Sequence, residues 1–372
     1  MNCEALATIK SFENYVASLR NVTSDDISAT AMKPCRQGIC SALYGTGNAD
    51  VSGIGVIVGY FVEFSLAIIL ALSLMVLKQK RKEHLVRCCQ RVTAAYADSA
   101  IALALSVELA AAIMLIRKNF GVGAYEFGGL TVQTVWIVAI LVMLPIVPFC
   151  WQDLKDDRTE LRLCMISLAF ILFLINFICR MISTYSEGQI GSGPGKVITR
   201  SEMGQIRLLC YQGKHDLSPA GSSVVEIFSI GGSLWVACSI VLALLDQCVT
   251  TSGRSPAGRR WQSLTGRLKK ERSGAAIPVI ALAVWSIPLF WALVTLRSWQ
   301  KEFAASLNQQ SGSDVWSFGQ IIAVVVFLPV LNELLYQYLG KPQPASAAAR
   351  QHAAATLCMP SPKPVTAQPG SP

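Results

Sequence analysis

The chain has 372 residues, 52% hydrophobic and only 15% charged, with a mean hydropathy of +0.46 and a formal net charge of +9. Soluble domains carry about 25% charged residues, so a water-soluble globular architecture is excluded for most of the length. The positive charge follows particular loops rather than one face, which removes the case for a nucleic-acid partner.

Residues 1–50 are too few for a hydrophobic core of their own and lack the apolar stretch of a cleaved signal peptide. They hold the N-glycosylation sequon Asn21-Val22-Thr23. Seven apolar runs follow, at roughly 54–77, 98–116, 130–150, 161–183, 223–245, 276–296 and 317–338. Each is long enough to cross a hydrocarbon layer of about 30 Å, and none alternates as a barrel strand would, so all are expected to be helices. The first is expected to serve as an uncleaved signal anchor.

The predicted fold is all-α: a polytopic membrane bundle of about seven transmembrane helices over 51–340. Its orientation follows from Lys and Arg. The loop 78–97 carries Lys78, Lys80, Arg81, Lys82, Arg87 and Arg91, and the basic loop 246–275 carries seven more cations. With Lys155, Arg158 and Arg162 that side holds sixteen, against eight in the three opposite loops. The basic side is therefore expected to be cytosolic, the N-terminus lumenal or outside, and the C-terminus cytosolic.

Two loops and the tail complete the plan. The lumenal loop 184–222 has glycines at 188, 191, 193 and 195 around Pro194 and reads as a flexible segment or lid. Residues 341–372, rich in Pro, Ala and Ser, read as a disordered cytosolic tail. Cys3, Cys35, Cys40 and Cys210 all fall on the predicted lumenal side, where four cysteines allow two disulfides in three connectivities. Cys35–Cys40, or either one with Cys210, are the expected pairs, with free thiols the alternative. Cys88-Cys89, beside the basic run, fits palmitoylation and an unmodified pair equally.

Ionisable residues within membrane helices are costly and mark candidate sites. Glu63 lies about nine residues, roughly 14 Å, from the lumenal start of the first run, and Glu108 about ten residues from the cytosolic start of the second. If those helices pack side by side, the two carboxyls are expected at one level. An acid kept protonated at neutral pH acts as a general acid; the plainer role is a hydrogen bond between helices. Arg180 and Glu226 lie near the lumenal ends of their runs and can pair or reach the interface. Asn176 lies one turn from Arg180 on the same face. Trp136, Trp235 and Trp285 sit deeper than an interfacial belt, where aromatic faces can stabilise a cation. With Asn176 and Arg180 they make up the candidate substrate-binding set. Glu333 follows Pro329 and Asn332 in the last run.

No metal site is expected, because His84, His215 and His352 lack ligand spacing. Phosphate-binding loops, G-x-S-x-G and H-E-x-x-H are missing from the sequence. Asp153-Leu154-Lys155-Asp156-Asp157 is half of a diphosphate–magnesium pattern without its second Asp-rich element, and reads as a solvated loop.

Two stretches carry a resemblance: Pro34-Cys35-Arg36-Gln37-Gly38-Ile39-Cys40 running on to Gly53-Ile54-Gly55, and Trp316-Ser317-Phe318-Gly319-Gln320-Ile321-Ile322-Ala323. Together they resemble a family of filamentous-fungal integral membrane proteins with this helix count and loop plan. In length, helix number and lack of Asp-rich motifs the chain is also similar to membrane-bound terpene cyclases of the ascochlorin, ascofuranone and macrophorin meroterpenoid pathways. That resemblance implies protonation of an epoxide or olefin on a farnesylated aromatic, followed by carbocation cyclisation. It implies no cofactor, a lipophilic prenylated substrate, membrane lipid as the other partner, and the endoplasmic reticulum as the site. Glu63 or Glu108 would donate the proton and the other would accept the last one.

Two other classes fit the topology. A seven-helix receptor at the plasma membrane is one, although Asp-Arg-Tyr after the third run and Asn-Pro-x-x-Tyr in the seventh are missing. A transporter or channel with a route past Glu63, Glu108 or Glu333 is the other.

Overall fold

The structure, a computed structural model, describes residues 18–19, 28–44, 53–117, 129–150, 159–186, 205–206, 208–210, 219–251, 272–308 and 318–339. Among the described residues every regular element is helical. Cys3, Asn21, the run 153–157, most of the loops 184–222 and 246–275, and the tail 341–372 lie outside them.

A turn of helix at Ala29–Met32 and a 3-10 turn at Lys33–Cys35 lead into α1 (Arg36–Tyr44). The long helices are α2 (Ile54–Gln79), α3 (Glu83–Arg117), α4 (Gly129–Met143), α5 (Thr159–Ser186), α6 (Pro219–Thr251) and α7 (Arg272–Ser306). Two short ones follow, α8 (Phe318–Val325) and α9 (Leu328–Leu339). Met1–Val330 forms one compact unit and Leu331–Pro372 a second.

Among the described residues six helices are long and apolar enough to cross a membrane, as an integral membrane protein requires. Large apolar side chains face outward along them, among them Phe61, Ile69, Ile171, Ile227 and Ile287, where a water-soluble bundle would place polar groups. The seventh apolar run is not one long helix. It breaks at Val326–Phe327, between α8 and α9. Pro329 has no N–H to give the carbonyl of Val325, and its ring crowds that carbonyl, so the helix must restart.

The second run also differs from expectation. Hydropathy put 78–97 in a loop, whereas α3 already begins at Glu83 after a tight turn. Residues 83–97 contain no Gly or Pro, and Val86, Cys89, Thr93 and Tyr96 recur at helical spacing on a partly or fully buried face. The turn closes with Lys80 N–H donating to the Val76 carbonyl at 3.0 Å and Arg81 N–H to that of Lys78 at 3.3 Å. Arg81 takes φ 51°, the left-handed conformation that ends many helices.

The helix α4 is the hub. Its span, extended through a 3-10 turn at Leu144–Ile146 to Cys150, is 94% buried, against 33–50% for the other five. Ile137, Ile140, Leu141, Val142 and Met143 are fully enclosed, which fits a helix that is apolar all round. Pro145 lies in the 3-10 turn at its end. Helices α3, α5, α6 and α7 pack around it, and α2 packs on α3.

Helix α8 lies close against α2. A Cβ added to Gly59 would stand 3.0 Å from both Cβ and the carbonyl oxygen of Ala323. Gly55-x-x-x-Gly59 on α2 and Gly319-x-x-x-Ala323 on α8 are small-residue patterns of the kind that let membrane helices approach closely.

At the end where α2 begins, α1 is tied to residues 208–210. Cys40 and Cys210 form a disulfide with Cα atoms 5.4 Å apart. Arg36 donates from Nε to the Leu209 carbonyl (3.0 Å) and from Nη2 to that of Cys210 (3.1 Å). Cys35 is disulfide-bonded too. The expected Cys35–Cys40 alternative is thereby replaced: five residues apart on helical backbone, these Cα atoms are too distant for a bridge.

Candidate functional site

The inward face of α2 is read from its burial: Tyr60, Phe64, Ala67, Leu70, Ala71 and Leu74 recur every three or four residues and are all enclosed. Glu63 falls on that face and is fully buried. Neither carboxyl oxygen has a hydrogen-bond partner. Its backbone carbonyl accepts from the Tyr96 hydroxyl at 3.0 Å. Tyr96 is itself enclosed, with Phe149 at 5.1 Å and Phe327 at 5.9 Å between ring centroids. Aromatic packing from α3, α4 and the turn after α8 thus holds α2 in register at the acid.

Glu108 occupies the corresponding inward face of α3 and is also fully buried. Asn176 of α5 donates from Nδ2 to Glu108 Oε2 at 2.7 Å and to the Glu108 backbone carbonyl at 3.1 Å. Glu108 Oε1 and Asn176 Oδ1 remain without partners. One turn further along α5, the Arg180 guanidinium carbon lies 5.4 Å from the ring centroid of Trp136 on α4, a cation–π contact. Trp136 Nε1 is buried without a partner.

The two acids lie on adjacent helices, but they do not share one level. Glu63 stands 18 residues before Arg81 and Glu108 27 residues after it. In an antiparallel hairpin that offset of nine residues separates the Cα atoms by about 13 Å along the helices. The expectation of matched depth failed because α3 starts earlier than its apolar stretch. Side chains lean toward the N-terminus of their own helix, so the two carboxyls lean toward one another. Tyr60, one turn before Glu63, lies within electrostatic reach of both.

A second polar tie, besides Asn176–Glu108, joins α5 to α3. Arg162 donates from Nε to Asp98 Oδ1 at 2.5 Å and from Nη2 to Oδ2 at 3.1 Å. Sequence reasoning counted Arg162 as a loop cation and passed over Asp98. The available signal was an acid at the first position of the second apolar run, 98–116.

Trp285 packs differently from Trp136. It meets Phe228 edge-on at 6.1 Å. A Cβ at Gly231 would come within 2.5 Å of its ring, so that glycine on α6 makes the room Trp285 on α7 needs. Trp235, one turn beyond Gly231, is half-buried against the core. Trp285 therefore belongs to the α6–α7 contact, whereas Asn176 of α5 ties to Glu108 and Arg180, one turn along, covers Trp136. In the second unit Gln337 donates to Glu333 at 2.7 Å.

What the arrangement offers chemically is a fully buried acid with no hydrogen-bond partner on α2 and, on α3, a second acid already held by an amide. No family model matches the chain, and no curated protein and no solved structure is significantly similar to it.

Proposed function

We propose that the protein is a membrane-bound terpene cyclase that converts a farnesylated aromatic epoxide or olefin to a cyclised meroterpenoid. The carrying observation is Glu63: a fully buried carboxyl with no donor facing either oxygen. Placed among apolar and aromatic side chains, such an acid has little structural use and is positioned to give up a proton.

Protonated Glu63 is the donor. Its O–H bond breaks as the substrate's epoxide oxygen takes the proton, and the C–O bond at the more substituted carbon opens. The next double bond closes on that cation, and loss of a proton from carbon to the Glu63 carboxylate ends the sequence and restores the acid. Substrate and product have the same atoms, so no co-reactant enters. The rings of Tyr60, Tyr96, Phe64 and Trp136 supply the faces on which positive charge is tolerated.

A lipophilic substrate would enter between helices from the bilayer. The Cys40–Cys210 bond supports a lumenal position for its end of the bundle, since disulfides persist in oxidising compartments. The cations at the α2–α3 turn support a cytosolic position for the other end. An endoplasmic-reticulum membrane fits both.

Microsomes containing the protein, given farnesylated phenols with and without a terminal epoxide, should yield an isomer of unchanged mass by mass spectrometry. Glu63→Gln should lower its rate by about 100-fold or more, within the range for removal of a general acid. An undiminished rate in Glu63→Gln would sink the assignment.

A further inference from the structure

Three buried polar atoms near the α3–α4–α5 junction lack partners: Glu108 Oε1, Asn176 Oδ1 and Trp136 Nε1. Their residues are 0%, 3% and 5% exposed. An unmet buried donor or acceptor costs about 1–3 kcal/mol, and proteins leave few of them. They are linked by contacts already described: Asn176 holds Glu108, and Arg180, one turn along from Asn176, covers the Trp136 ring.

The three atoms have a definite chemistry. Trp136 Nε1 can only donate and Asn176 Oδ1 can only accept. Glu108 Oε1 accepts when its carboxyl is ionised. A hydroxyl is the smallest group that accepts from the first while donating to one of the others. The surrounding core is apolar, so the body of the bound molecule must be apolar too.

We propose that Trp136, Asn176 and Glu108 form the seat for the hydroxyl head of a lipophilic phenol or alcohol. Joined to the cyclase reading, on which this step rests, the seat fixes the substrate's direction. The head lies on the side of the disulfide, and the chain runs toward Glu63, whose Cα is about 13 Å deeper along the hairpin. The end of the prenyl chain is thus delivered to the acid.

The test is binding, separated from turnover. Protein in neutral-lipid nanodiscs, carrying Glu63→Gln to stop reaction, is titrated with a farnesylated phenol and with its methyl ether. The ether can accept from Trp136 but cannot donate. The phenol should bind about fivefold more tightly, the worth of one net hydrogen bond. Trp136→Phe, which keeps the ring's bulk and removes the N–H, should weaken both ligands by a similar factor. Asn176→Leu, which also cuts the tie to Glu108, should erase the preference for the phenol.

Equal affinity for phenol and ether would overturn the seat and point to resident water on these atoms. Unchanged phenol affinity in Trp136→Phe would overturn it as well. If the hydroxyl preference holds while the unmutated protein isomerises no prenylated phenol, the seat stands and the cyclase reading falls.

Discussion

Glu63 sets an acid in a place that suits a leucine or methionine. Both carboxyl oxygens are buried and unmet, so the group detracts from stability in the folded chain. Replacement by an apolar residue of similar volume, Glu63→Met, should raise the thermal midpoint in detergent, with a gain on the order of 1–3 kcal/mol, and abolish activity. A fall in the midpoint would mean that the carboxyl has a structural partner. Opposed changes in stability and activity are the usual mark of a functional residue. Glu63 and Glu108 were legible in the sequence because ionisable residues in apolar runs are conspicuous. The partnership of Glu108 with Asn176 was not, since α3 and α5 are separated in sequence by the whole of α4. Trp136 and Trp285 looked equivalent for the same reason: their depth shows in the sequence, their neighbours do not.

At the scale of elements, hydropathy located the cores of the long helices and missed their ends. It reads the solvent around a helix, while the helix itself is set by backbone propensity and breakers. The stretch 83–97 is helical but only partly apolar, so hydropathy reads it as a loop. The last run is apolar throughout but carries Pro329, so hydropathy reads one helix where there are two. The close approach of α2 and α8 rests on missing side chains at Gly59. Gly59→Val would put new atoms where a Cβ alone already meets Ala323 at 3.0 Å. That variant should be destabilised by about 1–3 kcal/mol, as overpacked cores are, with a matching fall in thermal midpoint. Tolerance of valine would show that α8 can move away from α2 freely.

For the whole molecule, the number of crossings decides where the C-terminus lies. Six helices meet the length and hydropathy that a membrane demands, and α8 with α9 forms a broken seventh apolar stretch. If the broken stretch crosses, the two termini lie on opposite sides; if it does not, they share one. The apolar length of the last run, 317–338, favours a crossing. A C-terminal reporter in intact microsomes should then be open to protease, while Asn21 carries a glycan removable by endoglycosidase. A protected reporter together with a glycosylated Asn21 would reduce the count to six.

The Cys40–Cys210 bond bears on how the chain is assembled. The two cysteines are 170 residues apart in sequence, and a covalent bond between them requires both on one side of the bilayer. The chain between them must therefore cross an even number of times, and α2, α3, the α4 span and α5 are four helices long and apolar enough to do so. Parity at this half of the molecule is locked whatever the last stretch does. If those four helices cross in turn, the bond also acts as a clock for insertion, because it cannot close until the fourth is in place and residue 210 stands on the same side as Cys40. In a pulse-chase on non-reducing gels, chains truncated before residue 210 should lack the faster-migrating oxidised form that Cys40→Ser abolishes. Chains reaching well past residue 210 should acquire it, which dates the closing of the bundle's cap to the arrival of its fourth helix.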